Sequence, residues 1–278
     1  MTYEHIAVED SDGVAIVTLN RPAQMNAYTW RMGIELRHAI SEFDAREDVR
    51  VIVVTGAGRA FCAGADLTRE PGLSDQQLAD LQAEVAQRLA PRTDEPYWRL
   101  ATPIIAAMNG SAAGVGMTLP MQLDLRIIAE EGKYGFVFNR RGFVPELGST
   151  WMLPRLIGTA NAMDLLLTGR YVNGAEAAAL GYANEVRPAA QVLDRALELA
   201  QDIARNVAPV SAAVTKRMIY RNLEDSDRDT VVAREAALFS WSTRSTDGVE
   251  GAKAFMTKRP AQWSMRKHAD FPTELYDS

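Results

Sequence analysis

Two segments rich in glycine and alanine, each following a run of buried-strand type, constrain what this chain can fold into. The strand pattern at 49–55 leads into GAGRAFCAGADL, and the pattern at 104–108 leads into NGSAAGVG. Residues with little or no side chain let backbone N–H groups face open space and let a ligand come close. Two converging N–H groups form an oxyanion hole, which stabilises negative charge on a carbonyl oxygen. The alternative is that these small residues only pack a helix against a sheet.

The composition is that of a large globular protein and argues against several function classes. The 278 residues are 47% hydrophobic and 24% charged, which suits one large domain or a core with an appendage. A formal net charge of -6 argues against a nucleic-acid partner. The three histidines lack metal-ligand spacing, so we expect no metal site. Without a signal-peptide pattern or an apolar run of membrane-spanning length, we expect a cytoplasmic protein with no membrane partner.

Strand and helix patterns alternate along most of the chain, and only helical patterns follow. Strands are expected at 6–9, 14–19, 49–55, 104–108, 125–129, 134–137 and 185–187. Helices are expected at 29–45, from about 76 toward 99, after 114, and at 148–156, 174–180, 189–206, 210–222, 227–241 and 247–257. We therefore divide the chain into a core, 1–207, and a helical C-terminal region, 208–278.

Four motifs in order resemble those of the crotonase (enoyl-CoA hydratase/isomerase) superfamily. They are NRPAQMNA at 20–27, AGAD at 63–66, NGSAAGVG at 109–116 and EGAKAFMTKRP at 250–260. The resemblance implies an α/β fold, a spiral of β-β-α units with an all-helical C-terminal region that builds a homotrimer or a dimer of trimers. It also implies an acyl-CoA thioester substrate, with coenzyme A entering as part of that substrate and no permanently bound cofactor.

The resemblance assigns the oxyanion hole to the backbone N–H groups of Ala65 and Val115. Val115 stands where many relatives have glycine, and a left-handed backbone there would be costly for a β-branched residue. Hydratases of the superfamily carry two glutamates, and these positions fall on Thr118 and Phe138. Neither side chain transfers protons as a carboxylate does, so a two-glutamate hydration mechanism is not expected.

One carboxylate, Glu146, lies in a segment similar to that of the epoxyphenylacetyl-CoA isomerases. The segment is GFVPELGSTWMLPR at 142–155, and the acid/base aspartate of those enzymes falls on Glu146. The apolar neighbours Phe143, Val144, Leu147 and Trp151 are expected to bury the carboxylate and raise its pKa, which suits a general base. The alternative is a solvent-facing glutamate that caps the helix after Gly148.

The remaining candidate acids and the cysteine are given structural roles. Asp124 is expected to fix the turn before the strand at 125–129, and Asp66 to hold the oxyanion turn. Cys62 is the single cysteine, so no disulfide forms within the chain. Because no histidine lies in a motif to activate it, Cys62 is expected to be a buried filler.

Coenzyme A is expected to bind two parts of the chain, both by resemblance. The first comprises the backbone near Ala23 and Met25 together with Ala63, Asp66 and Leu67. The second comprises Phe255 and Lys258 of the C-terminal region, from the same or a neighbouring subunit, with the ring stacking on adenine and the cation pairing phosphate. A solvated helix end is the alternative reading of Lys258. Residues 68–100 are expected to shape the acyl pocket, where Tyr97, Trp98 and Phe138 indicate an apolar or aromatic group.

The sequence therefore predicts an enzyme that stabilises a thioester enolate and uses Glu146 to move a proton. A single carboxylate suits a double-bond shift better than hydration, because one group can remove and return the proton. Two alternatives stay open: an enoyl-CoA hydratase in which Thr118 positions a water, and an acyl-CoA-binding protein without catalysis.

Overall fold

The computed structural model describes residues 2–68 and 74–277 as short strands alternating with helices. The strands are β1 Ile6–Ser11, β2 Val14–Leu19, β3 Val51–Gly56, β4 Ala60–Cys62, β5 Ile104–Met108, β6 Ser111–Ala113, β7 Leu125–Ala129, β8 Lys133–Gly135, β9 Tyr171–Asn173 and β10 Glu185–Arg187. The helices are α1 Trp30–Ala45, α2 Asp75–Arg88, α3 Val115–Thr118, α4 Ser149–Ile157, α5 Thr159–Thr168, α6 Gly174–Ala179, α7 Val192–Asn206, α8 Pro209–Asn222, α9 Arg228–Ser242, α10 Thr246–Met256 and α11 Thr273–Asp277.

A six-stranded sheet in the order β1-β2-β3-β5-β7-β10 forms the centre of the fold. β1 and β2 form an antiparallel hairpin, and the other neighbours pair in parallel. Every residue of β3 and β5 is buried, as expected for parallel strands covered on both faces. Ile52 and Val54 of β3 pack into the cluster that contains α1, whereas Val51 and Val53 pack against α7. The buried face of α7 has alanine at every fourth position, Ala196, Ala200 and Ala204, and these small side chains let the helix pack close to the sheet.

A second, smaller sheet, β4-β6-β8-β9, repeats the order of the first. β4 follows β3, β6 follows β5 and β8 follows β7, and the successive strands pair in parallel within each sheet. Asn109 joins two adjacent corners, because its side chain accepts a hydrogen bond from Gly56 N (3.1 Å) and donates one to Gly58 O (2.9 Å). The expected α/β organisation of stacked β-β-α units is therefore confirmed.

The C-terminal helices follow the last described strand and pack back onto the first units. Lys267 is buried at 2% exposure and donates hydrogen bonds to Arg46 O and Val49 O. Val210, Val214 and Leu238 form a small core of their own. The boundary between 207 and 208 stays a prediction. In the described residues, no helix is both long and apolar enough to cross a bilayer.

The structure corrects several sequence-based element bounds. The helix expected to run toward 99 ends at Arg88, because Pro91 follows within three residues and Tyr97–Arg99 forms a separate 3-10 turn. The strand expected at 134–137 is shorter, at Lys133–Gly135. No pattern in the sequence predicted α5 or the three-residue strands β4, β6 and β9, and these strands are defined by pairing partners far along the chain.

Candidate active site

The two glycine- and alanine-rich turns meet in the structure. β4 and β6 pair in parallel, so the segments after them leave the small sheet at the same edge. Gly64 has φ of 104° and Gly114 has φ of 53°, a backbone region that favours glycine. A side chain on Gly114 would lie 3.9 Å from the Cα atom of Gly64. Ala65 and Val115, the residues that follow these two glycines, are therefore neighbours.

The amides of Ala65 and Val115 are left free by the local hydrogen bonding. Tyr28 N donates to Gly64 O and Asp66 N donates to Tyr28 O, both at 2.8 Å, so the N–H of Ala65 faces away from Tyr28. Val115 begins α3, and first-turn amides have no acceptor within their own helix. Within 2–68 and 74–277, neither N–H has a hydrogen-bond acceptor. Two free, adjacent amides are the arrangement that an oxyanion hole requires.

Val115 does not carry the backbone strain that the sequence raised as a cost. Among the described residues, the non-glycine positions with positive φ are Asp12, Met25, Asn26, Leu147 and Lys258. The unusual conformation falls one residue earlier, at Gly114, with φ of 53° and ψ of -121°. A β-branched side chain at position 115 is therefore compatible with the turn.

Glu146 accepts a short hydrogen bond from the hydroxyl of Thr118. Thr118 is completely buried, and its hydroxyl also lies 3.5 Å from Val115 O. Thr118 thus links the carboxylate directly to the turn that carries the Val115 amide. Burial raises the pKa of Glu146 above its usual value, and the hydrogen bond from Thr118 opposes that rise.

The surroundings of Glu146 differ from the expectation. Phe143 and Val144 are 54% and 81% exposed, and Glu146 itself is exposed apart from its desolvated carboxylate. The buried partner comes from α3, 28 residues earlier in the chain. Of the alternative, a solvent-facing glutamate that caps the helix, the capping role is wrong, because Gly148 occupies the cap position of α4 and no side chain caps it, whereas Glu146 is exposed.

A cavity of about 320 Å³ opens beside Glu146, with Leu147 and Leu119 in its wall. Tyr97 lines it as expected, whereas Trp98 lines an adjoining cavity of about 270 Å³. Gln122 lines both cavities and donates a hydrogen bond to Leu147 O (2.8 Å). Phe138 packs against the main core instead. Of the stretch 68–100, residues 69–73 lie outside the described residues.

The first set of residues expected to bind coenzyme A forms one connected surface. Ala63 N donates to Met25 O (3.1 Å), and Asp66 forms an ion pair with Arg21 (2.9 Å). Leu67 is 65% exposed, Met25 is 41% exposed, and Ala23 is exposed in the preceding 3-10 turn. Asn26, which was not among the predicted site residues, holds this surface together. Its side chain is fully buried, accepts a hydrogen bond from Arg21 N and donates hydrogen bonds to Ala57 O and Ala60 O.

The second set lies on the surface of the C-terminal region. Phe255 is 86% exposed, and Lys258 follows the end of α10 with φ of 52°. No hydrogen bond or ion pair joins either side chain to Met25 or Leu67 in the part of the chain that the structure describes. Their contact with coenzyme A stays a prediction.

Known proteins of one family are similar to this chain over most of its length. A profile of the family "Enoyl-CoA hydratase/isomerase" matches residues 9–266. A probable enoyl-CoA hydratase from Mycobacterium bovis is 37% identical over 268 residues, covering 96% of this chain and 100% of that protein. An enoyl-CoA hydratase from Alternaria alternata is 36% identical over 260 residues, covering 93% and 86%. A crystal structure of a probable enoyl-CoA hydratase/isomerase from Mycobacterium abscessus superposes with a TM-score of 0.82 at 40% identity, covering 96% and 100%.

The chain belongs to the enoyl-CoA hydratase/isomerase family. The resemblance to the crotonase superfamily and its α/β fold are thereby confirmed. The finer likeness to epoxyphenylacetyl-CoA isomerases around Glu146 stays a prediction.

Two other candidate residues of this enoyl-CoA hydratase/isomerase family member, Asp124 and Cys62, lie in surroundings that indicate structural roles. Asp124 accepts a hydrogen bond from Ile104 N (2.7 Å) and pairs with the buried Lys216 (2.8 Å). Burial raises the pKa of the Cys62 thiol to about 11, which leaves it protonated and unreactive at neutral pH. The described residues contain no cluster of side chains suited to a metal ion.

Proposed function

We propose that this protein shifts the double bond of an enoyl-CoA thioester, with Glu146 as the acid/base and the amides of Ala65 and Val115 as the oxyanion hole. The observation that carries the proposal is the contact of Glu146 with Thr118, three residues after Val115 on α3. This contact brings a proton carrier with a raised pKa beside two free amides.

The chemistry follows from this arrangement. The Glu146 carboxylate removes a proton from the α carbon of a 3-enoyl thioester, and the released electron pair moves into the thioester carbonyl. The two amides then donate hydrogen bonds to the negative oxygen of the dienolate, which lowers the free-energy barrier to its formation. Glu146 returns the proton to the γ carbon, so the double bond moves next to the carbonyl and no co-reactant is consumed.

A single proton carrier favours isomerisation over hydration. Among the described residues, the cavity beside Glu146 has no aspartate or glutamate in its wall. By resemblance, the positions of the two family glutamates fall on Thr118 and Phe138, and the Thr118 hydroxyl donates a hydrogen bond to Glu146. One carboxylate is sufficient when the proton that leaves is the proton that returns.

Hydration of a 2-enoyl-CoA is the second candidate, supported by the relatives named enoyl-CoA hydratase. In that reaction Glu146 would take a proton from water, and the oxygen of Thr118 would help to position that water. The water would add to the β carbon, and Glu146 would return the proton to the α carbon.

A panel of thioesters separates these functions. The wild-type protein is incubated with matched 2-enoyl, 3-enoyl and aryl-substituted CoA thioesters, and the products are identified by mass spectrometry. Conversion of 3-enoyl to 2-enoyl without gain of water supports isomerisation, and gain of the mass of water identifies a hydratase. If no thioester reacts and none exchanges its α proton with solvent, the proposed catalysis is refuted and an acyl-CoA-binding protein without catalysis is favoured.

A further inference from the structure

The cavity beside Glu146 has a mixed lining that indicates which acyl groups it accepts. Its walls include the apolar side chains of Ile34, Leu89 and Leu119. Its volume of about 320 Å³ is at the lower end of ligand pockets, which run from about 300 to 1,000 Å³. A cavity of this size holds an acyl group but not the nucleotide of coenzyme A.

The hydrogen-bond donors that line this cavity include Arg37 and the phenols of Tyr28 and Tyr97. Within residues 2–68 and 74–277, none of the three side chains has a hydrogen-bond or ion-pair partner. Neither phenol oxygen is among the fully buried unpaired atoms, so both have access to the cavity. Arg37 is exposed to solvent, whereas Tyr28 and Tyr97 are half-buried, so the cavity offers a ligand with oxygen atoms one charged donor and two phenol donors.

The electrostatics favour an anionic ligand group. Burial raises the pKa of Tyr28 to about 12 and raises that of Tyr97 further, so both phenols remain proton donors at neutral pH. The positive charge of Arg37 acts on both rings and partly opposes each rise. Arg37 therefore lies close to both phenols, and a guanidinium can hold a carboxylate with two parallel hydrogen bonds.

We propose that this cavity takes an acyl group whose far end carries a carboxylate, held by Arg37 with help from the hydroxyls of Tyr28 and Tyr97. The thioester end of that group would lie at the amides of Ala65 and Val115. The inference rests on the proposed function for the thioester, and it adds the substrate class: CoA thioesters of dicarboxylic acids.

The test measures binding, so it does not depend on turnover. Calorimetry gives the Kd of two saturated acyl-CoA thioesters of equal chain length, one ending in a methyl group and one in a carboxylate. The proteins compared are the wild type, Arg37→Met, Arg37→Lys and the control Arg88→Met. Arg88 is exposed at the end of α2 and does not line the cavity in the described residues.

We expect Arg37→Met to weaken binding of the carboxylate thioester by at least about tenfold, the usual effect of losing a hydrogen bond to a charged group. Binding of the methyl-ended thioester should change less than about twofold. Arg37→Lys should recover part of the loss, because it keeps the charge without the planar fork. Arg88→Met should leave the ratio of the two dissociation constants unchanged.

Two results would overturn the inference. If Arg37→Met weakens both thioesters equally, Arg37 binds the coenzyme A phosphates and not the acyl end. If Arg37→Met changes neither dissociation constant, Arg37 is a surface residue without a ligand. A failure of the thioester panel to show turnover would refute the proposed reaction but would leave this comparison of affinities intact.

Discussion

Replacement of Glu146 by glutamine tests the proposed mechanism most directly. Glutamine has nearly the same shape and keeps an oxygen that can accept the hydrogen bond from Thr118. The completely buried Thr118 is therefore not left without a partner, and we expect a change in unfolding free energy below about 1 kcal/mol. The variant loses only the ability to exchange a proton.

The size of the effect follows from the surroundings of the carboxylate. Loss of a general base costs about a hundred- to ten-thousand-fold in rate. The upper part of that range is expected here, because among the described residues no carboxylate lines the adjacent cavity and could replace Glu146. A loss of about 10³ to 10⁴ in kcat corresponds to a barrier raised by about 4 to 5 kcal/mol. The two amides remain in place, so some enolisation persists and ligand binding changes little.

Exchange of the α proton of an acyl-CoA with solvent deuterium, followed by mass spectrometry, is the assay. It reports proton transfer even when no net product forms. The matched control is Glu224→Gln, an exposed carboxylate beside the adjoining cavity that makes no contact with Thr118. If Glu146→Gln exchanges the proton as fast as the wild type does, Glu146 is not the base.

The pH profile gives a second check on the same residue. A base must be deprotonated to act, so kcat should fall as the pH drops through the pKa of Glu146. Because burial raises that pKa, the fall should occur at higher pH than for an ordinary glutamate. Thr118→Val removes the hydrogen bond that lowers the pKa, so the fall should move to still higher pH. A profile that does not move in Thr118→Val would contradict the assigned contact.

Three further predictions concern the turn, the buried lysine and assembly. An alanine side chain at position 114 has steric room, but the φ of 53° is unfavourable for it. Gly114→Ala should therefore lower the free energy of chemical unfolding by about 1–3 kcal/mol and lower kcat by displacing the Val115 amide. An unchanged kcat would refute the role of that amide. Burial lowers the pKa of Lys267 from 10.5 to about 8, so the folded state binds fewer protons than the unfolded state between those values. Urea unfolding should therefore show wild-type stability rising relative to Lys267→Met as the pH rises from about 8 toward 10.5, and equal pH slopes would contradict this. We also expect a homotrimer or a dimer of trimers, since Phe239 of α9 is 71% exposed and Phe255 of α10 is 86% exposed. A light-scattering mass of 30.6 kDa, the mass of one chain, would refute assembly.

Local features of the sequence determined the backbone of the site. The continuous apolar runs at β3 and β5 predicted buried strands, because strands that are covered on both faces have apolar residues at successive positions. Both strands are fully buried in the structure. Gly64 and Gly114 marked the places where the chain takes a conformation open to glycine alone. The four motifs identified the family, and the family match covers residues 9–266.

Packing between distant segments decided the chemistry at Glu146. The sequence placed its burial among Phe143 and Val144, yet both are exposed, and the partner that matters is Thr118 on a different element. The donors Arg37, Tyr28 and Tyr97 likewise meet only where α1 faces the segment after α2. Periodicity and turn chemistry act over a few neighbouring residues, so they fix strands, helices and turns. A contact across 28 residues depends on how those elements stack, which only the tertiary structure specifies.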